Sequence, residues 1–339
     1  MLVKFEIKLI MIICRTPFRI SFFGGGTDFP AWYGKYGGSV ISTTIDKYCF
    51  INVRNLPNFF NYNYRLRYFK TEQTNNINNI KHPSFREILK YLNFENQNVE
   101  IVHNADLPAL SGMGASSSST VCLLHALNAL KNKYITKKQL SLDALKIEQQ
   151  ILKESVGSQD QIASAFGGLN YIKFNKDLSF EINPVIKNEN TNKLENSILL
   201  LFTGLQRKAE KIEKIKKKNI EKNISFLENM NSITSEAHKM LNSNLNLKLF
   251  GNLLNEQWKL KKSLSKSVSN KIIDDIYLMG IKNGAYGGKL LGAGNGGFMM
   301  FVCNDMTKKK ILKKSKKLLN IPIKFDNIGS QIIYFSKTN

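Results

Sequence analysis

The chain has 339 residues, 42% of them hydrophobic, with 49 Lys and Arg against 26 Asp and Glu, a net charge of +23. That is enough chain for two domains, or one large one, with real cores, and the composition is ordinary for a globular protein. It holds no run near the roughly 18–20 apolar residues of a membrane span, and Met1 to Ile13, interrupted by Lys4, Glu6 and Lys8, lacks the clean apolar core of a secretion signal.

In chain order, Leu9 to Phe23 reads as a strand that breaks at Gly24-Gly25-Gly26, and Met11 is an alternative start just before it. Ser39 to Val53 is β-prone. Asn55 to Asn79 is polar and aromatic, a hairpin plus a loop. Ser84 to Leu92 is a short helix after Pro83, and Val99 to His103 a strand. The segment Pro108 to Thr120 is built of small residues and runs into an apolar helix, Val121 to Leu130. Thr136 to Glu154 and Ser158 to Phe166 are helical, and Leu169 to Phe174 is a strand after Gly167-Gly168. The polar stretch Lys187 to Leu194 is the expected domain boundary. Beyond it lie a strand at Ser197 to Phe202, a long helical run from Arg207 to Ser265 and a helix at Lys271 to Lys282. A second glycine-rich turn, Gly292 to Gly297, sits between strands at Lys289 to Leu291 and Phe298 to Cys303. A basic helix and two last strands, Ile321 to Phe325 and Gln331 to Phe335, end the chain. The pattern implies an α+β fold of two domains, 11–186 and 195–339, with the active site in the cleft between them.

Cys14, Cys49, Cys122 and Cys303 are scattered among apolar neighbours, and neither they nor the four His show metal-ligand spacing, so free buried thiols in a reducing cytoplasm are expected. The lysine runs Arg207 to Lys222 and Lys308 to Lys317 lie on helical patterns with an apolar opposite face. Without interleaved aromatics they read as solvated helix faces or a field for an anionic substrate, not as nucleic-acid or membrane sites.

The chemistry concentrates in the glycine-rich turns. Small residues feeding a helix start let main-chain N–H groups close on a phosphate at the positive end of the helix dipole. The first turn has no GxxxxGK[ST]. The second fits GxGxxG but lies between two strands, the wrong context for a dinucleotide fold. Three segments together, Pro17 to Asp28, Pro108 to Ser118 and Lys289 to Gly297, resemble the GHMP family of small-molecule kinases in sequence, order and spacing. Gly24-Gly25-Gly26-Thr27-Asp28, Ser158 to Gln161 and Phe202 to Arg207 resemble the branch of that family acting on D-glycero-D-manno-heptose 7-phosphate, with the fucokinases nearby.

The resemblance implies an ATP- and Mg²⁺-dependent kinase that phosphorylates the anomeric hydroxyl of a sugar phosphate. It implies that Ser111, Gly112, Met113, Gly114, Ala115, Ser116, Ser117 and Ser118 wrap the nucleotide phosphates. Ser116 and Glu148 would hold Mg²⁺, with Ser117 competing because Ala115 stands where a Ser is common. Asp160 would be the general base and Arg19 the cation facing it. Gly25, Gly26, Thr27 and Asp28 would contact the sugar, with Gly294, Asn295 and Gly296 shaping its pocket. Arg207 and Lys208, or Lys47 and Arg15, would meet the distal phosphate. An L-fucose-type acceptor or a non-catalytic sugar-binding protein are the alternatives.

Overall fold

The computed structural model describes residues 10–185, 188–206 and 223–337. Among these, nine strands form one sheet and four a second. β1 (Ile10–Phe23) and β2 (Gly38–Asn55) are long antiparallel neighbours at the centre of the larger sheet. Their apolar side chains are buried over most of their length, because both faces of this part of the sheet are covered. β5 (Val99–Ala105) adds to β2 on one side, followed by the hairpin β3 (Tyr64–Arg67) and β4 (Thr71–Thr74). β6 (Leu169–Phe174), paired to β2, and β7 (Phe180–Pro184) complete a branch. The four-stranded sheet runs β11 (Leu319–Asn320), β8 (Ile198–Phe202), β10 (Phe298–Val302), β9 (Gly287–Leu290).

Three differences from the sequence expectation are physical. The stretch expected to be a polar bridge is largely a helix, Glu189–Ser197, capped by reciprocal hydrogen bonds between Asn188 and Thr191 and anchored by buried Leu194. From residue 223 on, the run expected to be helical from Arg207 to Ser265 is two helices, Ile224–Asn242 and Leu247–Leu264, the second opened by Asn246 accepting from the N–H groups of Lys248 and Leu249. The last strands leave the second half of the chain. β12 (Phe325–Asp326) pairs with β2 and β13 (Gln331–Lys337) with β1, so the C-terminus closes the first sheet.

All four cysteines are buried free thiols. In the basic helix Asp305–Lys314, Ile311 faces the core while Lys309, Lys310, Lys313 and Lys314 are solvated. The other lysine run, 207–222, lies outside the described residues. Among the described residues, no helix is long and apolar enough to cross a membrane.

Candidate active site

The helix Ala115–Leu130 starts directly from Gly114, whose φ of 74° lies in the left-handed region. A Cβ on Gly114 would sit 3.2 Å from the Arg19 side chain and 3.4 Å from Asp160 Oδ2, so only glycine lets this turn press against both. Gly112, at φ 78°, touches the second glycine turn: a Cβ on Gly292 would lie 2.3 Å from Gly112 Cα, and one on Gly297 2.2 Å from the Ser111 carbonyl oxygen. The two turns, far apart in sequence, therefore pack backbone on backbone.

Arg19, on β1, and Asp160, in the first turn of the helix Gln159–Phe166, meet at this junction. Arg19 Nε and Nη2 donate to Asp160 Oδ1 and Oδ2, both at 2.6 Å, a forked charge-assisted pair. Arg19 Nη1 donates to the Gly112 carbonyl at 2.8 Å, and its main-chain N–H to the Met113 carbonyl at 3.1 Å. Gln159 Nε2 donates to Asp160 Oδ1 and Ser21 Oγ to Gln159 Oε1, fixing the carboxylate from the side.

Behind the loop, the helix Lys137–Leu145 continues into a π-turn, Lys146–Ile151. The extra residue of a π-turn re-aims the side chains it carries, and Glu148 is 1% exposed. Its Oε2 accepts from Ser117 Oγ at 2.9 Å and from Gln161 Nε2. Its Oε1 is buried with no hydrogen-bond partner. Burial pushes this carboxyl up to about 7, with Glu154 adding to the rise, while Thr120, Gln161 and Ser117 pull it down. A hard divalent cation takes oxygen ligands of this kind, so a carboxylate oxygen without a partner beside a serine hydroxyl fits Mg²⁺. The serine at Glu148 is Ser117. Ser116, one residue before it on the helix, is exposed and does not reach Glu148; both serines line the cavity.

In front of Glu148, the loop and the Arg19–Asp160 pair border a cavity of about 380 Å³. Ser111, Gly112, Gly114, Ala115, Ser116, Ser117, Arg19, Asp160, Gly25, Gly26 and Asp28 all line it. Asp28 is buried, its Oδ1 accepting from the Gly26 N–H at 2.9 Å and its Oδ2 from the Gln159 N–H at 3.3 Å. A Cβ at Gly157 would lie 1.9 Å from Asp28 Oδ2, which demands glycine there.

Several expected contacts lie elsewhere. Thr27 is fully buried, and its hydroxyl donates to the Gly24 and Ser39 carbonyls, so it shapes the Gly24–Asp28 turn from inside. Met113 is buried in the core, and Ser118 Oγ is turned to the Pro17 carbonyl and Ser164. Gly294 packs on Val268, Asn295 accepts from Asn270 Nδ2, and the Asn295 N–H donates to the Val268 carbonyl. That part of the turn, with Gly296, is braced away from the cavity, whose wall takes Gly292 and Ala293 instead. Arg15 is held by Gln331 and stacks over Tyr48, and Lys47 is bonded to Asp46. Arg207 and Lys208 lie outside the described residues.

Sequence reading also passed over part of the wall. Lys261, Gln257 and Lys289 enter from the second half of the chain, with Lys289 Nζ donating to the Phe22 carbonyl at 2.7 Å. Nothing in a helix of mixed Lys and Leu marks Gln257 and Lys261 as inward-facing, and a lone lysine on the short strand β9 does not announce itself either. Tyr68, Phe69, His82, Phe85, Ile88 and His103 also line the cavity. His82 and Phe85 stack at 4.3 Å, and burial holds both imidazoles below the usual histidine range. The cavity wall thus joins the Ser111–Ser117 turn to aromatic residues and to Asp160, Asp28 and small residues.

Residues 79–168 match the model of the GHMP kinases N terminal domain, and residues 240–320 that of the GHMP kinases C terminal domain. The chain is 31% identical over 314 residues to D-glycero-alpha-D-manno-heptose 7-phosphate kinase of Campylobacter jejuni, covering 89% of this chain and 92% of that protein. Among solved structures, a D-glycero-D-manno-heptose 1-phosphate kinase from Bacteroides thetaiotaomicron superposes with a TM-score of 0.78 at 23% identity, over 95% of this chain and 99% of that one. Lactococcus lactis galactokinase complexed with galactose gives a TM-score of 0.71 at 18% identity, over 95% of each chain.

Proposed function

This chain belongs to the GHMP kinase family, and we propose that, as an ATP-dependent sugar kinase of that family, it phosphorylates the anomeric hydroxyl of D-glycero-D-manno-heptose 7-phosphate. The product would be the 1,7-bisphosphate, a precursor for GDP-heptose and surface polysaccharide. The observation that carries the chemistry is the forked Arg19–Asp160 pair pressed against Gly114 at the mouth of the phosphate loop. Similarity along most of the chain to a heptose 7-phosphate kinase supports the choice of acceptor.

In this reading the triphosphate lies along Ser111 to Ser117, its charge met by main-chain N–H groups and the start of the Ala115–Leu130 helix. The nucleobase occupies the aromatic end, between Phe69 and the His82–Phe85 stack. The acceptor lies at Gly25, Gly26 and Asp28. Its hydroxyl gives its proton to an Asp160 oxygen as the acceptor oxygen bonds to the γ-phosphorus and the bond from that phosphorus to the bridging oxygen of ADP breaks, ADP leaving, and Arg19 stabilises the charge that develops on the attacking oxygen. Mg²⁺ would be held by Glu148 and Ser117, or by Ser116 from the cavity side, and would neutralise phosphate charge. Of the lysines, Lys261 and Lys289 line the cavity, and these are the candidates for the distal phosphate of the acceptor.

The test is a coupled ADP-release assay with the heptose 7-phosphate, L-fucose, D-galactose and D-mannose, with the product located by phosphorus NMR. Preferred turnover of the heptose 7-phosphate, with phosphate appearing at C1, is expected. Preference for L-fucose would move the protein to the fucokinase-type alternative.

A further inference from the structure

Gln257 lies on the helix Leu247–Leu264, is 0% exposed, and leaves both its amide nitrogen and its amide oxygen buried without a hydrogen-bond partner. Buried polar groups are almost always bonded, and one that is not destabilises the fold that carries it. On the same helix Trp258 Nε1 is also buried without a partner but does not line the cavity, and two residues before Gln257 the usual outcome is seen. Asn255 donates to the Tyr286 carbonyl and accepts from Tyr277 Oη at 2.9 Å and the Gly288 N–H at 3.0 Å.

Gln257 differs from Asn255 in what it faces: it lines the cavity that holds Arg19 and Asp160. Its helix packs at the acceptor end. Phe250 stacks edge-on against Phe22 and Phe23, just before the Gly24–Asp28 turn, and a Cβ on Gly26 would touch Leu264. One turn beyond Gln257, Lys261 Nζ donates to the carbonyls of Leu290 and Gly292, so this stretch of helix is tied to the second glycine turn.

We propose that Gln257 is an acceptor-binding residue that sets specificity for a polyhydroxylated acceptor. Its amide is completed by a neighbouring pair of hydroxyls, one accepting from the nitrogen and one donating to the oxygen. An amide offers one donor group and one acceptor group side by side, and vicinal hydroxyls of a sugar match that pair. The inference rests on the sugar-kinase reading of the cavity. It does not depend on which sugar is used.

The experiment is Gln257→Met, close in volume and without the amide, with Gln257→Leu as a second variant. Steady-state kinetics use whichever member of the sugar panel the wild type phosphorylates, together with monodeoxy analogues of that sugar and a thermal melt. The acceptor KM is expected to rise at least tenfold, the ATP KM to stay within twofold, and the melting temperature to hold or increase. One monodeoxy analogue should be discriminated against by the wild type and not by Gln257→Met. An unchanged acceptor KM, a rise confined to the ATP KM, or a lowered melting temperature with intact acceptor affinity each overturns the inference. If the wild type uses other sugars but not the heptose 7-phosphate, only the acceptor assignment fails; if it uses none, the sugar-kinase reading fails first and takes this one with it.

Discussion

Asp160→Asn separates the proposed proton-taking role of Asp160 from its structural role. The carboxylate receives two 2.6 Å bonds from Arg19, whose side chain is only 5% exposed. Asparagine keeps one carbonyl oxygen for one guanidinium nitrogen and sets its own NH₂ against the other. One charge-assisted bond and the countercharge are lost, while Arg19 Nη1 keeps the Gly112 carbonyl. Removing one partner of a fully buried pair costs about 3–5 kcal/mol. With one bond retained and Asp160 a quarter exposed, about 2 kcal/mol is expected, which leaves a folded protein. The loss of a general base is larger and falls elsewhere: about 10²–10⁴-fold in kcat, with the ATP KM changed only a few-fold because the phosphate loop is untouched. ADP-release kinetics and thermal melts on the same preparation read both numbers. Adding Arg19→Met completes a double-mutant cycle, and strong non-additivity is expected because the two side chains act as one unit. An Asp160→Asn enzyme within tenfold of the wild-type kcat would refute the base assignment and leave the pair a positioning device.

The remaining expectations address other parts of the site. In metal-free protein, Glu148 titrates near 7 when folded and near 4.5 when unfolded, so the folded state binds the extra proton between those values and stability falls as pH rises through them. A shift of that size corresponds to about 3 kcal/mol. Urea melts in a chelator should show the fall in the wild type and its absence in Glu148→Gln, which should also lose Mg²⁺-dependent turnover; identical pH profiles would count against the burial argument. Gly292→Ala places a Cβ 2.3 Å from Gly112 Cα at φ 72°, and should cost more than the roughly 1–2 kcal/mol of a left-handed residue and lower kcat/KM over 100-fold, about a further 3 kcal/mol at 1.36 kcal/mol per tenfold, as the phosphate loop is pushed aside. Phe69 is 85% exposed at the cavity mouth, so Phe69→Ala should leave the melting temperature unchanged while raising the ATP KM by about fivefold, near 1 kcal/mol of base stacking; an unchanged ATP KM would place the nucleobase elsewhere.

What could be read from the sequence was local. Three glycines before Thr27-Asp28, and a serine-rich entry to an apolar helix, are turn and cap signals that act within a few residues, and the strands and helices around them fall close to where periodicity put them. What escaped was set by distant parts of the chain. The partners of β12 and β13 are chosen by sheet edges some three hundred residues upstream, and no alternation in Gln331–Lys337 encodes that choice. The direction of Glu148 depends on a π-turn that a helical pattern does not announce. Thr27 and Gly294–Gly296 carry the residue types of a binding loop, yet they serve to hold the loop's shape, because a turn needs its own internal bonds before it can present others.

Backbone contacts tie the cavity wall together. Gly112 is the hinge of the arrangement. It takes Arg19 Nη1 on its carbonyl, abuts Gly292, and Gly292 is in turn tied to Lys261. A displacement anywhere along this path therefore moves the guanidinium that fixes Asp160. Such rigidity has a cost: Ser111 Oγ, Gln257 and Glu148 Oε1 are buried, and the fold supplies none of them with a hydrogen-bond partner. A core optimised for stability alone would replace them with apolar groups of the same volume. Of these, Ser111 and Gln257 line the cavity, and for Gln257 the proposal is that the hydroxyls of an acceptor complete an amide that the helix already holds in place, as Asn255 is completed by Tyr277, Tyr286 and Gly288.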